Sequence, residues 1–466
     1  MISLSLTADI TKLQVYAMQE KHFNMCKILA IKDFSEDGVL YKIAFLSLCL
    51  VALVSPVLSL FLGLSLPLML GIASAVPVWY FVVNNKWNYL YGTNICKIMI
   101  IFILYAAVSS LWAVVPYETL NLIFRMLLLF IVAISAITFF RDVNLKHKEI
   151  LSKCLLYSLI FSLMVANFEI FSDGILTKLF RSFEHNSKYI YHLTDLNRGS
   201  TYLSLLLWPV MAYLMKNKKN LFAVILYIVT LATSVRLESQ SAAMSIMLGT
   251  IVFFFMLFMK ERGLKIIMVM ACIGIVFVAM TAKIMNPEHM FKILPNIPGS
   301  ASEYRLYIWD YAAEKAYQKP FLGWGFNASR SFPVKQSEYF LGGKHPLPLH
   351  PHNNVLQVWL ELGIVGLFIF AAFLLTFLQR IKELYRGGEQ SHCLSKFEDK
   401  KRCCPITKIC AYFKEFNNDT RRALAMGLFT GYFAIGETCY GMWQNWWVAG
   451  GVLALVFIDS ILDNSN

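Results

Sequence analysis

Apolar residues along this chain form long blocks, and short polar segments separate one block from the next. Blocks of about 20 apolar residues predict transmembrane helices, because a helix of that length crosses a hydrocarbon core of about 30 Å. Transmembrane β-strands would show an alternation of polarity that these blocks lack. About 12 spans are predicted, near 41–63, 64–83, 95–115, 120–140, 150–170, 199–215, 221–235, 241–259, 263–285, 355–378, 424–443 and 445–462. We expect a tight hairpin between the first two.

The composition agrees with a membrane protein. Of the 466 residues, 58% are hydrophobic and only 15% are charged, whereas soluble domains carry roughly 25% charged residues. The first 40 residues are polar and contain no apolar core of the kind that a cleavable signal peptide needs. We therefore expect the first span to act as the targeting signal.

The net charge of +13 sets the predicted orientation. Lysines and arginines collect in the N-terminal tail, in alternate loops and above all in 379–422, as cytoplasmic segments do. This explains the charge better than nucleic-acid binding does. The predicted segments are a cytoplasmic tail (1–40), spans 1–9 (41–285), a periplasmic loop (286–354), span 10 (355–378), a basic cytoplasmic loop (379–422), and spans 11 and 12 with the C-terminus (423–466).

The cysteines give no clear sign of a metal or of disulfides. None of the ten falls between residues 286 and 354, so structural disulfides are not expected in that loop. A zinc site in the basic loop is one alternative, but the spacing there matches no standard zinc site, and reduced thiols explain the pattern better. The residues concerned are His392, Cys393, Cys403, Cys404 and Cys410. We expect neither a metal nor a cofactor.

Two long segments, 171–198 and 286–354, fall on the predicted periplasmic side. Long ordered loops are usually functional. Within the second loop, residues 302–318 have helical spacing, and Ser302 is a plausible cap. We expect this helix to lie along the membrane surface.

Four arginines lie on the same side: Arg198 begins the sixth span, Arg236 ends the seventh, and Arg305 and Arg330 are in the long loop. Taken singly, each is better explained as an anchor that reaches the lipid headgroups. Taken together, they favour a ligand, because planar guanidinium groups bind phosphate oxygens in pairs. The set predicts a binding site for a diphosphate at the headgroup level.

The stretch "PHNN" before the tenth span resembles a helix start, which either Asn353 or Asn354 can cap. His352 would then face the positive end of a helix dipole, so its ring should stay neutral and able to accept a proton. A neutral histidine beside phosphate-binding arginines suits a general base for a sugar hydroxyl. The alternative is an interfacial histidine that only holds the loop. His345 and His350 compete for the role, although both are better explained as loop residues.

Glu361 lies about 10 Å further along the same helix, at 1.5 Å per residue. Ionisable groups at this depth usually face the bundle interior and have a partner. Arg125 is one candidate partner and an unsatisfied backbone group is another. Gly363 and Gly366 are small enough to let a neighbouring helix approach closely. We expect Glu361 to support the helix rather than to catalyse.

These residues match the pattern of a known family: histidine, then asparagine, serine or glutamine, nine residues, and Gly-x-x-Gly. The matching residues are His352, Asn353, Gly363 and Gly366. Upstream, "EYRLYIWDYAAEKAYQKPFLGWGFNASRSFP" (303–333) contains an arginine before "IW" and a "P-x-x-G-x-G" turn. The segments "NRGSTYLSLLLWP" and "ESQSAA" complete the similarity, over roughly 195–370. The chain resembles the O-antigen ligase and polymerase superfamily of bacterial envelopes.

The resemblance implies an all-α polytopic membrane protein of GT-C-like fold, with a long periplasmic loop between helices 9 and 10. It implies a metal-independent glycosyltransferase that moves a glycan from undecaprenyl diphosphate to a sugar of the lipid A–core. The reaction would take place at the periplasmic face of the bacterial inner membrane. By the same resemblance, His352 would be the base and Arg305 a diphosphate contact.

One position departs from the family pattern. Many members have Ser-Arg where this chain has Ser239-Gln240. Because glutamine supplies no charge, Arg236 or Arg198 would have to replace the second diphosphate contact.

Two other functions stay open. A polymerase would use a lipid-linked repeat unit as the acceptor, and nothing in the sequence separates it from a ligase. A transporter of lipid-linked glycan should carry polar groups near the bilayer midplane and interrupted helices in both halves. Here the polar groups crowd one face, so transport is the weaker hypothesis.

Overall fold

The computed structural model describes residues 38–84, 93–141, 143–182, 189–278, 284, 286–293, 301–340, 343–384 and 416–462. This part of the chain is helical, and its one β-type pairing is an isolated bridge between Phe340 and Lys344. Most of the predicted tail 1–40 and of the basic loop 379–422 lies outside the described residues. So does the group of cysteines and a histidine that was considered as a zinc site.

Fourteen helices make up the described part. They are α1 (Val39–Phe61), α2 (Leu66–Val83), α3 (Asn94–Ser109), α4 (Pro116–Arg141), α5 (Leu145–Phe171), α6 (Ile175–Ser182), α7 (Asn197–Lys216), α8 (Asn220–Arg236), α9 (Gln240–Val276), α10 (Pro287–Ile293), α11 (Ala301–Gln318), α12 (Asn354–Leu384), α13 (Asn418–Gly436) and α14 (Asn445–Leu462). Short 3₁₀ turns occur at Gly63–Ser65, Leu193–Leu196, Ala328–Ser331 and Gln336–Glu338.

Seven of the described helices are long and apolar enough to cross a membrane: α1, α2, α4, α5, α9, α12 and α14, the second counted from Gly63. The shorter apolar helices α3 and α8 also coincide with predicted spans. Lys260 interrupts α9 with non-helical dihedral angles (φ 51, ψ −131), and the two arms overlap the predicted spans 241–259 and 263–285. The chain is a multi-pass membrane protein, and the count of twelve spans stays a prediction.

The tight hairpin between the first two spans is confirmed, because a single 3₁₀ turn separates α1 from α2. The predicted span 424–443 is wrong at its end. Helix α13 stops at Gly436, and residues 437–444 form a connection to α14 that does not continue the helix. Gly436 is packed so closely on Asn354 that a Cβ atom there would collide with the asparagine amide. We call residues 437–444 the α13–α14 loop.

The helix predicted over 302–318 is confirmed as α11, but it begins at Ala301, so Ser302 is inside the first turn and is not the cap. Two apolar cores organise the bundle. The larger surrounds α7, where Trp208 is 1% exposed. The smaller joins α11, the first turns of α12 and the segment after α11, and it supports the candidate site.

Candidate functional site

Helix α12 is broken near its start, and a loop fills the break. Gly363 leaves the helical region with φ 65 and ψ −163. The turn 320–325 docks there through backbone hydrogen bonds: the N–H groups of Trp324 and Gly325 donate to Leu360 and Glu361 (3.0 and 2.8 Å). In return, the N–H of Ile364 donates to Pro320 at 2.9 Å. The turn therefore pairs backbone groups that a break in a helix would otherwise leave unsatisfied.

Two glycines make this docking possible. A Cβ at Gly363 would collide with the carbonyl of Phe321, and a Cβ at Gly323 would collide with the carbonyl of Glu361. Both residues also have positive φ, which favours glycine. Helix α12 and the "P-x-x-G-x-G" turn therefore each have a glycine at the point where the backbone of the other segment packs against it.

Glu361 lies beside this break and is completely buried. Its Oε2 accepts hydrogen bonds from the N–H of Asn327 and from Nε1 of Trp443, both at 2.8 Å. Its Oε1 accepts from Nε2 of Gln357 at 3.0 Å and from the hydroxyl of Ser329. The partner is therefore a backbone group together with three side chains, and Arg125 is not among these donors. The carboxyl joins α12, the 3₁₀ turn at 328–331 and the α13–α14 loop.

Gln357 makes a second connection to the same loop. Its Nε2 donates to Glu361, and its Oε1 accepts from the N–H of Met442 at 2.9 Å. The residue is 3% exposed. The α13–α14 loop is thus fixed against the first turns of α12 by Glu361 through Trp443 and by Gln357 through Met442.

The same loop holds His352. The imidazole Nδ1 forms a hydrogen bond with the carbonyl oxygen of Cys439. A carbonyl only accepts, so Nδ1 carries the proton, and in the neutral ring Nε2 keeps the lone pair. His352 also has φ 54, an unfavourable conformation for a residue other than glycine. Asn353 caps α12, since its Oδ1 accepts from the N–H of Leu356 at 2.8 Å.

His350 packs against His352 with the two ring centroids 4.3 Å apart and the planes nearly perpendicular. It is 6% exposed, and Nε2 of Gln444 lies 2.9 Å from its Nε2. Sequence reasoning treated His350 as a loop residue. The structure confirms that His350 lies in a loop, and it adds that His350 is a buried neighbour of His352, held by the loop that holds His352.

Both histidines are biased towards the neutral form. Burial lowers the pKa of His352 below its ordinary value of 6.5, the hydrogen bond to Cys439 opposes this, and the charge of Arg305 lowers the pKa further. Burial, His352 and Arg330 lower the pKa of His350 to about 4. The expected direction is therefore found at His352, although burial is the main cause, whereas the sequence argument relied on the helix dipole.

The four predicted arginines differ in their surroundings. Arg305 and Arg330 each act electrostatically on one of the two histidines. Arg198 is exposed, and its guanidinium lies 5.7 Å from the ring centroid of Trp446, just after the α13–α14 loop. Arg236 is also exposed, with its guanidinium 4.4 Å from the ring of Phe171 at the end of α5.

Tyr440 connects Arg198 to the site. The charge of Arg198 acts on Tyr440, and the hydroxyl of Thr201, one helical turn after Arg198, donates to the Tyr440 oxygen at 3.4 Å. Tyr440 directly follows Cys439, whose carbonyl binds His352. No described contact connects Arg236 or Gln240 to either histidine.

Sequence reasoning missed the α13–α14 loop as part of the site. Residues 437–443 were assigned to a membrane span, although Glu437 inside that segment was a visible signal. Among the described residues, no group of three or more histidine, cysteine, aspartate or glutamate side chains is arranged to hold a metal ion.

The fold and the site define a multi-pass helical membrane protein with a buried polar site where a broken helix begins. The family model described as O-antigen ligase matches residues 221–371. This region contains His352, Arg305 and the break at Gly363, but not Arg198 or the α13–α14 loop.

Two relatives extend the similarity over most of the chain, and both bear the name "Putative polysaccharide ligase". The protein from Rickettsia typhi is 31% identical over 384 residues, which cover 80% of this chain and 83% of the relative. The protein from Rickettsia bellii is 30% identical over 371 residues, with 78% and 80% covered. The chain belongs to the O-antigen ligase family, so the family resemblance is confirmed.

Proposed function

We propose that this protein is a glycosyltransferase of the O-antigen ligase type. It transfers a glycan from undecaprenyl diphosphate to a hydroxyl of the lipid A–core, at the periplasmic face of the bacterial inner membrane. Family membership supports an activity of the ligase or polymerase type. The observation that carries the residue-level proposal is the neutral His352, whose Nδ1 is fixed by Cys439 and whose neighbourhood includes the charge of Arg305.

In the proposed reaction, Nε2 of His352 accepts the proton of an acceptor hydroxyl as that oxygen attacks the anomeric carbon of the donor. A new glycosidic C–O bond forms, and the C–O bond to the diphosphate breaks. The leaving undecaprenyl diphosphate takes the bonding electrons. The imidazolium later gives its proton to solvent, which restores the base.

The arginines stabilise the leaving group. Negative charge grows on the diphosphate as its bond to the sugar breaks, and guanidinium groups placed there lower the energy of the transition state. Arg305 and Arg330 are the first candidates, because their charges act on the two histidines. Arg198 is favoured over Arg236 as the replacement for the charge missing at Gln240, since it lies against the loop that holds His352.

The site also keeps the base neutral. A cation near His352 disfavours imidazolium and so lowers the pKa of the ring. One set of arginines thus binds the anionic donor and keeps the lone pair of Nε2 free. Glu361, Gln357 and Asn353 have positioning roles: the first two hold the α13–α14 loop, and the third starts the helix.

A strain that lacks the gene and carries the His352→Ala variant at wild-type abundance tests the proposal. The variant should leave the lipid A–core without O-antigen, while His289→Ala, at an exposed histidine of α10, should behave as wild type. If polymer accumulates on the carrier lipid, ligation is the missing step. If single repeat units accumulate, the protein is a polymerase. Normal attachment of O-antigen in the His352→Ala strain would exclude the assigned base.

A further inference from the structure

Four side chains around His352 each keep a buried polar atom without a hydrogen-bond partner among the described residues. These atoms are Nδ1 of His350, Oδ1 of Asn354, Oε1 of Glu437 and Oε1 of Gln444. Buried polar atoms in folded proteins are nearly always paired, because an unpaired one loses its hydration without compensation. Four in one neighbourhood indicate a binding site for a polar group.

Two of the four unpaired atoms belong to His350 and Gln444, on the side of the site where the two histidine rings pack together. Nε2 of Gln444 donates a hydrogen bond to Nε2 of His350, and the ring of His350 packs against the ring of His352. An amide N–H donates, so His350 accepts at Nε2 and carries its own proton at the unpaired Nδ1. His350 therefore offers a buried donor next to the proposed base.

The other two lie at the start of α12. Oε2 of Glu437 is 3.5 Å from the N–H of Val355, and Asn354 packs against Gly436, the residue before Glu437. Glu437 precedes by two residues the Cys439 whose carbonyl binds His352. Asn354, only 5% exposed, and Glu437 thus lie beside the same short stretch that holds the base.

The chemistry of these atoms selects a class of ligand. Asn354 and Gln444 offer amide oxygens that accept hydrogen bonds, and Glu437, whose pKa burial raises to about 8, offers a carboxyl that can donate or accept. A diphosphate diester offers only acceptors, so it would leave the two amide oxygens unpaired. A sugar hydroxyl can donate to them and can accept from Nδ1 of His350. The polar atoms therefore fit a polyol rather than a phosphate group.

We propose that Glu437, Asn354, Gln444 and His350 form a hydroxyl-binding subsite that holds the acceptor sugar beside His352. The inference rests on the proposed function, because the acceptor is the sugar whose hydroxyl gives its proton to His352. Its neighbouring hydroxyls bind Glu437 and the two amides. The arginines hold the donor's diphosphate, so one set of residues selects the acceptor and another selects the donor.

Purified full-length protein in lipid nanodiscs tests the subsite, with lipid A–core as acceptor and undecaprenyl-diphosphate-linked glycan as donor. Glu437→Ala should raise the KM for lipid A–core about tenfold, as expected for the loss of one strong hydrogen bond. The KM for the donor should stay within about twofold of wild type. Binding of lipid A–core measured without donor should weaken by the same factor as the acceptor KM rises.

Two further variants complete the test. Glu437→Gln keeps an oxygen in place, so it should show a smaller loss, and it serves if the alanine variant does not fold. Glu383→Gln, at a carboxyl whose side chain is 64% exposed at the other end of α12, should change neither KM. An unchanged acceptor KM and unchanged binding in both Glu437 variants would overturn the subsite. A rise in the donor KM alone would assign it to the donor sugar and overturn the proposal.

The proposed function fails in a different way. If the wild-type protein transfers no glycan, or if His352→Ala transfers as well as wild type, the assigned reaction is wrong. The binding measurement on Glu437→Ala then still decides whether a hydroxyl-binding subsite exists, because it needs no turnover.

Discussion

Glu361→Gln is the substitution that tests most sharply how the site is held together. The carboxyl of Glu361 accepts from Asn327 and Trp443 on one oxygen and from Ser329 and Gln357 on the other. In Glu361→Gln, the one remaining side-chain oxygen can accept hydrogen bonds from one of these two pairs of donors. The NH₂ group then faces the other pair, and it cannot accept a hydrogen bond from them. The Ser329 hydroxyl can turn and accept from that group, but Gln357 Nε2 cannot.

At least one buried donor is then left unpaired, which lowers the free energy of unfolding by about 1–3 kcal/mol. Glu361→Ala leaves all four donors unpaired, and we expect that variant not to fold. The loosened α13–α14 loop should also misplace the proposed base and lower kcat by about 10–10²-fold, since a displacement near 1 Å can cost about 10²-fold.

The assay compares the thermal midpoint and kcat of detergent-purified wild type and Glu361→Gln, with Glu383→Gln as the control. We expect a midpoint lower by a few degrees, a reduced kcat and little change in either KM. A Glu361→Gln protein with wild-type midpoint and kcat would refute the assignment of Glu361 as the residue that joins the three segments.

Three further outcomes follow from the same geometry. Gly363→Ala should reduce folded protein, because its Cβ meets a carbonyl at positive φ, whereas Gly71→Ala, with open space around it, should be neutral or slightly stabilising on expression and thermal melts. Arg198→Ala should raise the KM for the donor, while Arg236→Ala should leave it unchanged; the opposite result would identify Arg236 as the replacement for the missing charge. The proposed base must be neutral to act, so activity should fall only below pH 6.5, the ordinary histidine value. Arg305→Gln removes a nearby cation and raises the pKa of the base, so the acid limb of the kcat/KM profile should move to higher pH.

Most of the transmembrane helices can be predicted from the sequence, because the length of an apolar block determines whether it can cross the membrane. The long apolar helices coincide with predicted spans, and the helix start at Asn353 follows from capping chemistry. The end of α13 was misplaced because the predicted span was continued over Cys439, Met442 and Trp443, although Glu437 and Thr438 lie in the same stretch.

The break in α12 could not be predicted by pattern alone. Gly363 was expected to admit a neighbouring helix, but the segment that packs there is the 320–325 turn, more than 35 residues earlier in the chain, whose backbone hydrogen bonds accompany the break. A transporter was disfavoured because the polar groups crowd one face of the predicted bundle, and the sequence did not indicate whether this helix is interrupted. The interruption exists, but the backbone of the 320–325 turn fills it and pairs its polar groups.

The site residues also fall into two groups, those that the sequence predicts and those that it does not. The positions of Arg305 and His352 follow from the family pattern, and the structure brings the charge of one within reach of the other. The burial of His350 and the hydrogen bonds of Gln357 and Trp443 depend on the α13–α14 loop, which is distant in sequence. Contacts between segments that are distant in sequence produce no local periodicity, so the sequence pattern does not predict them.

A single-turnover transfer measurement on the reconstituted protein tests the central claim most directly. Labelled undecaprenyl-diphosphate-linked glycan and lipid A–core are mixed with wild type, His352→Ala or the control His289→Ala. We predict that His352→Ala lowers the transfer rate by about 10²–10⁴-fold, while donor binding stays close to wild type and His289→Ala transfers normally. Transfer by His352→Ala within a few-fold of the wild-type rate would contradict the assignment of His352 as the base.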